Sequence, residues 1–298
     1  VELKNDIFVP TKCIAHRDFD GLIAGVLLEK CFEIPAIYVG YNKLEQTVNT
    51  WCDEKSKVAI CDISLPENLY TKQFVDDKII LIDHHETTLP LVGKKGVYFD
   101  QKYAGSTLTY KWLLLNHPWC KDIIKPYLDL TICSQDYDLW IHNDWRSVYW
   151  TALIHELGFN NVRQRFLTNS SVDFTLDELR VVKRLSDMRN HTRKIIEQES
   201  TIVKAKDDSH SLLIFSEPEQ KLVCMFEELS HFAKQQNYDM TLIIYHNSNR
   251  CSLRSTEMNI LETKWNTLFR GHPQACGMKV EKKMSNVLDL LEEMYIIS

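Results

Sequence analysis

The triplet Asp83-His84-His85 closes the apolar run Ile79-Ile80-Leu81-Ile82, and carboxylate beside imidazole is a donor set for a transition-metal cation. Two similar junctions lie upstream. Lys12-Cys13-Ile14-Ala15 runs into His16-Arg17-Asp18-Phe19-Asp20-Gly21, and Val58-Ala59-Ile60-Cys61 runs into Asp62. A fourth acidic stretch, Gln135-Asp136-Tyr137-Asp138, ends a helical segment. Any one of these alone is unremarkable, a polar loop or a helix cap; their order and strand-end placement make them a set. Brought together, Asp18, Asp20, Asp62, Asp83 and Asp136 with His16, His84 and His85 would repel and raise one another's pKa. Divalent cations remove that cost. Carboxylates with imidazoles suit Mn²⁺ better than Ca²⁺ or a closed structural zinc, with Mg²⁺ or Co²⁺ as alternatives. Two such ions acidify water into a nucleophile, and phosphoester hydrolysis is the natural outcome.

The elements that must position these residues follow from periodicity. After Gly21, Leu22 to Lys30 carries apolar residues at helical spacing, Ala36-Ile37-Tyr38-Val39 reads as a strand, and a polar helix runs to about Trp51. With strands ending at Asp62 and Asp83, this alternation predicts an α/β fold: a doubly wound, mostly parallel sheet whose strand ends form the ligand crevice. Further helices are expected from Ser106, as a serine cap, and over Ile123 to Cys133. A charged stretch from about Thr175 to Lys206, free of Gly and Pro, predicts a helical linker. Beyond it, strands at Leu212-Phe215 and Met240-Tyr245 around a helix from Leu222 to Gln235 predict a second, smaller α/β domain. The expected division is 1–172, a linker over 173–209, and 210–298.

A chain of 298 residues with 44% hydrophobic content can build two cores, and its net charge of -6 argues against gripping long duplex nucleic acid. None of the nine cysteines forms a CxxC pair, and several sit in apolar runs, which predicts reduced thiols and a cytoplasmic setting. No apolar stretch approaches the roughly 20 residues that span a bilayer, so no membrane partner is expected.

At these motifs the chain resembles the DHH phosphoesterase superfamily, which includes RecJ-like exonucleases, nano-RNases and cyclic-dinucleotide phosphodiesterases. His16-Arg17-Asp18-Phe19-Asp20-Gly21 resembles its first motif, Asp62 its second, Asp83-His84-His85 its third and Asp136 its fourth. Cys251-Ser252-Leu253-Arg254-Ser255 and Arg270-Gly271-His272-Pro273-Gln274-Ala275-Cys276-Gly277 are similar to the SxRS strand and GGGHPxAAG loop of the DHHA1 domain, with Arg270 where glycine is usual. The resemblance implies that His16, Asp18 and Asp62 hold one Mn²⁺, and that Asp20, Asp62, His84 and Asp136 hold the other, with Asp138 the alternative to Asp136. It implies that Asp83 orients a histidine, that His85 faces the phosphate, and that Arg254, Ser255, Gly271 and His272 bind substrate.

A metal site in one domain and a phosphate clamp in the other would limit substrate length. The expected activity is hydrolysis of short single-stranded oligonucleotides or dinucleotides, RNA before DNA, to 5′-mononucleotides. Tyr103, Tyr137, Trp140 and Trp145 are candidate base platforms. The alternatives are a cyclic or linear dinucleotide messenger, 3′-phosphoadenosine 5′-phosphate, or a catalytically silent nucleotide-binding scaffold. Monomer and homodimer both stay open.

Overall fold

Five short runs, β1 (Lys12–His16), β2 (Ala36–Val39), β3 (Val58–Cys61), β4 (Ile79–Asp83) and β5 (Val97–Phe99), pair in parallel in the order β2-β1-β3-β4-β5. The computed structural model describes residues 8–53, 55–73, 78–206, 210–217, 222–245, 250–255, 258–272, 275–279, 289, 291–293 and 295–296. Ile14, Ile60 and Leu81 fall in one row of register and form a single apolar cluster with Val58 and Ile79. Helices α2 (Tyr41–Trp51) and α3 (Glu67–Gln73) cover that face through Leu44, Val48, Leu69 and Tyr70.

Because side chains alternate across a pleated strand, Cys13, Ala15, Ala59 and Cys61 belong to the opposite face. Their small size lets α1 (Phe19–Phe32) come close. Helix α1 is buried from Phe19 to Leu28 without a polar stripe, the mark of a helix enclosed on all sides. It lies between β1 and the helices α4 (Gly105–Asn116), α6 (Leu128–Asp138) and α8 (Phe159–Thr168), with α5 (Lys121–Ile124) and α7 (Trp145–Leu157) completing that layer. Each of the fully buried Leu22, Ile23, Leu27 and Leu28 contributes about 1.5–3 kcal/mol.

Three sequence expectations change in detail. The helix expected over Ile123 to Cys133 is broken by a 3₁₀ turn at Lys125–Tyr127, where Pro126 lacks an amide proton. Ser106 does not cap α4: Ala104 occupies the cap position, and the Ser106 amide donates to the Asp20 carboxylate 86 positions upstream. The charged helix α9 (Leu176–Glu199) opens on a reciprocal box, in which Thr175 N–H donates to Glu178 Oε2 and Glu178 N–H to Thr175 Oγ1. It stops at Glu199 rather than continuing to Lys206, because the β-branched Thr201-Ile202-Val203 enter a strand, β6 (Thr201–Ala205).

The chain divides into two compact units at about residue 181. In the second, β6, β7 (Ser211–Glu217), β8 (Met240–Tyr245), β9 (Arg250–Ser255), β10 (Arg270–His272), β11 (Ala275–Lys279) and β12 (Tyr295–Ile296) form one mixed sheet, ordered β10-β11-β9-β8-β7-β6-β12. Among the described residues of this sheet, only β7 and β8 pair in parallel. Leu213 and Phe215 face α10 (Met225–Gln235), whereas Leu212, Leu242 and Leu253 face Trp265 and Phe269. No helix among the described residues is long and apolar enough to cross a membrane.

Candidate metal centre

The donors converge because four chain segments end at one edge of the parallel sheet. β1 delivers His16, and Asp18 then caps α1, its Oδ1 accepting from Gly21 N–H at 2.9 Å. Any Cβ on residue 21 would overlap the His16 carbonyl, so a glycine is what lets α1 start this close to its own strand. Asp20 is buried in the first turn, and its Oδ2 accepts the Ser106 amide at 2.9 Å. Asp62 follows β3 with φ of 58°, a left-handed conformation that costs an aspartate roughly 1 kcal/mol. Strain of this kind persists where surrounding structure holds it and clusters at functional sites. Gly105 packs on Asp62, where a Cβ would lie 2.5 Å from the Asp62 Cβ. The chain leaves β1 for β2 on one side and returns to β3 on the other, so this edge is also the topological switch point of the sheet.

Asp62 is 0% exposed and sits between two donor groups. His16, Asp18 and Asp62 offer atoms within 4.8 Å of one another, and so do Asp20, His84 and Asp138. Asp62 Oδ2 lies 3.9 Å from His16 Nδ1, while its Oδ1 lies 3.3 Å from His84 Nε2. His84 Nε2 is also 3.2 Å from Asp138 Oδ2. Among the described residues, both Asp62 oxygens, Asp20 Oδ1 and Asp138 Oδ2 are buried and accept no hydrogen bond. Buried acceptors without donors are costly unless a cation meets them. Burial and the charges of Asp18, Asp20 and Asp138 push the Asp62 carboxyl well up, and burial with Asp20, Asp18 and Asp83 does the same to Asp138. Burial also raises Asp20. The donors therefore fit divalent cations.

One consequence is a pH dependence. A carboxyl raised on folding favours the metal-free native state while protonated, and that support is lost as pH rises through the raised value. A cation binds only the ionised form. Manganese is expected to raise the melting temperature more at about pH 8 than at about pH 5. Thermal shift measured at both pH values checks this, and an equal shift would contradict the raised carboxyls.

Asp83 is fully buried, with Oδ1 2.7 Å from His85 Nδ1 and Oδ2 accepting from Thr88 Oγ1 at 2.5 Å and Ser64 Oγ at 3.1 Å. Burial would raise its pKa, but the His85 hydrogen bond and charge outweigh it and hold the carboxyl low. Asp18 shows the same balance: burial raises it, and the His16 contact at 2.6 Å wins. His16 is raised in turn, since Asp18 overcomes the lowering by burial. Ser64 and Thr88 had no sequence signal beyond lying just past strand ends. Tyr41, at the start of α2, was likewise not singled out, yet its ring centroid is 5.5 Å from that of His16 and 6.3 Å from that of His85.

The fourth motif needs a correction. Asp136, the expected ligand, does not join the cluster; Asp138, the alternative, does. Residues two apart on a helix point about 200° apart, so only one of the pair can face the site. Asp136 faces away and binds the following loop: its carboxylate accepts from Asn143 N–H at 2.8 Å, Asp144 N–H at 3.2 Å and Ser147 O–H at 2.7 Å. Asp138→Asn is expected to weaken Mn²⁺ binding by about 10- to 100-fold with little loss of stability, whereas Asp136→Asn should cost about 1–3 kcal/mol. Calorimetry and denaturant unfolding of both variants separate the roles, and the reverse assignment of effects would restore Asp136. Tyr137 and Trp140 pack with His142, Trp145 with Tyr149 and Phe174, and the Lys111 ammonium lies over Tyr103.

In the second unit, Arg254 and Ser255 end β9, and Gly271 and His272 lie on β10. The expected loop over Arg270 to Gly277 is instead two antiparallel strands, with residues 273 and 274 outside the described residues. His272 pairs with Ala275 and Ala275 with Arg254, which aligns the three positions in one row of register. Arg254 is exposed, with its guanidinium 5.2 Å from the Phe226 ring centroid.

No protein-family model matches the chain, and no curated protein is similar to it in sequence. Solved structures are similar in fold. The pGpG-specific phosphodiesterase PggH from Vibrio cholerae aligns over 94% of this chain and 97% of its own, with TM-score 0.60 and 12% identity. A manganese-bound exonuclease RecJ aligns over 94% and 88%, with TM-score 0.57 and 13% identity. An exopolyphosphatase-related protein from Bacteroides fragilis aligns over 95% and 90%, with TM-score 0.56 and 13% identity. The chain shares the fold of these proteins, in agreement with the α/β architecture expected from its sequence.

Proposed function

We propose that this protein is a divalent-metal-dependent phosphodiesterase that cleaves short oligonucleotides, RNA before DNA, to 5′-mononucleotides in the cytoplasm. The observation that carries the reading is Asp62, strained and wholly buried, with one unsatisfied oxygen toward His16 and the other toward His84. His16, Asp18 and Asp62 would hold one cation, and Asp20, Asp62, His84 and Asp138 the other, with Mn²⁺ first and Mg²⁺ or Co²⁺ as alternatives. When bound, such a pair supplies Lewis acidity that makes water nucleophilic near neutral pH and offsets phosphate charge.

The chain's own groups do the rest. Asp83 fixes the His85 ring through Nδ1, while Thr88 and Ser64 fix Asp83, so His85 is held ready to hydrogen-bond a phosphate oxygen or protonate the leaving oxygen. Arg254 supplies a planar cation suited to a second phosphate, with Ser255, Gly271 and His272 as further contact positions. A linear dinucleotide messenger is the second reading, favoured by the similarity to a pGpG-specific phosphodiesterase. The test is turnover with Mn²⁺ on dinucleotides, a pentanucleotide, a cyclic dinucleotide and 3′-phosphoadenosine 5′-phosphate. Fastest release of 5′-mononucleotides from the shortest linear substrates is expected. Preference for the cyclic compound would overturn the ranking, and a chain that binds no Mn²⁺ by calorimetry would be a silent scaffold.

A further inference from the structure

Tyr41 stands where no core demand explains it. In α2 the residues that close the core are Leu44, Thr47 and Val48. Tyr41 lies on the same helical stripe as Leu44 and Val48 but one turn beyond the packed region, and it is 51% exposed. Its place is nonetheless well determined. β2 runs parallel to β1 with Val39 opposite His16, so the chain leaving β2 through Gly40 must set residue 41 beside His16. The ring meets His16 at 60° and His85 at 87°, stacking parallel on neither. His85, which the ring meets edge-on, is itself oriented by Asp83. One side of the ring thus borders the two histidines, while half of the residue is open to solvent.

We propose that Tyr41 is a specificity-determining residue: the platform on which a nucleobase stacks when the adjoining phosphate lies at the His16, Asp62 and His85 cluster. This rests on the phosphodiesterase reading and adds what that reading lacks, a reason for the site to prefer nucleotides over other phosphodiesters. Every base offers a π face, so such stacking is tolerant of sequence. An aromatic that is ordered before binding loses little freedom on contact. The class of ligand is a nucleoside phosphate, recognised through its base.

Calorimetry with Mn²⁺ present, comparing a nucleoside 5′-monophosphate with ribose 5-phosphate, tests this on the full chain and its Tyr41→Ala, Tyr41→Phe and Tyr41→Trp variants. The parent should bind the nucleotide about tenfold or more tighter than the sugar phosphate, and Tyr41→Ala should abolish the difference by weakening only the nucleotide. Phe and Trp should restore it. In turnover, Tyr41→Ala should raise KM for a dinucleotide about tenfold, leave kcat within about twofold, and leave an abasic dinucleotide unchanged. Equal loss for both ligands, or no loss, would overturn the proposal. A parent that binds the nucleotide through Tyr41 yet cleaves no dinucleotide would sink the phosphodiesterase reading and keep the platform.

Discussion

Asp62→Asn is expected to lower dinucleotide hydrolysis by about 10⁴-fold or more, because it removes one carboxylate shared by both donor groups. The substitution isolates chemistry from folding. Asparagine tolerates a left-handed backbone better than most residues, so the φ of 58° survives. Its amide also occupies nearly the same volume beside Gly105. The stability effect should have the opposite sign to the activity effect. Asp62 is raised by burial and by Asp18, Asp20, Asp138 and Asp83, so at pH above that raised value the metal-free native state carries an unfavourable charge. Neutralising it should raise the melting temperature of the metal-free protein near pH 8, and the gain should shrink as pH falls and the parent carboxyl protonates. With Mn²⁺ present the order should reverse, since the parent gains binding energy that the variant has lost. Single-turnover kinetics and melting curves with and without chelator read both halves. A variant as active as the parent would remove the basis for the metal reading.

Gly21→Ala should cost about 3–5 kcal/mol of stability and abolish measurable Mn²⁺ binding. Helix propensity alone favours alanine by about 1 kcal/mol. That gain loses to overlap, because the new methyl would run into the carbonyl and nitrogen of His16, backbone atoms that no side-chain rotation can move. Relief requires α1 to draw back from β1, which takes Asp18 and Asp20 away from His16 and Asp62. Gly93→Ala is the control: Gly93 has φ of 86° but open space around its Cβ direction, so only backbone strain of about 1 kcal/mol is expected, with metal binding intact. Denaturant unfolding and calorimetry of the two variants distinguish crowding from strain. Equal losses would show that the close approach of α1 to β1 does not position the donors.

How far the site was legible depended on the reach of the forces involved. Strand ends and donor types were open to reading because an apolar run that stops at Asp62 or Asp83 reports burial and its end within a few residues. Helix phase at the fourth motif was not open in the same way. Asp136 and Asp138 have the same chemistry two positions apart, and the choice between them was made by Asn143, Asp144 and Ser147, which engage Asp136 and so turn Asp138 to the cluster. The start of α4 is a similar case. A serine looks like a cap locally, but the carboxylate of Asp20 reached its amide from a remote segment. Tyr41 had no local mark at all, since its meaning comes from β2 lying next to β1.

By itself the sequence determined which residue types could bind cations, that strands would present them at their ends, and that an α/β core would form, because periodicity and side-chain chemistry act over one or two turns of chain. Only the tertiary structure decided that Asp62 stands between two donor groups, that Asp138 rather than Asp136 faces them, and that Asp83 is locked by Ser64 and Thr88. Those outcomes depend on contacts that local periodicity does not encode, with loop residues just past an element as at Thr88 and Asn143 or with another strand end as at Ser64, and close packing around Gly21 and Gly105 leaves room for one arrangement of the donors.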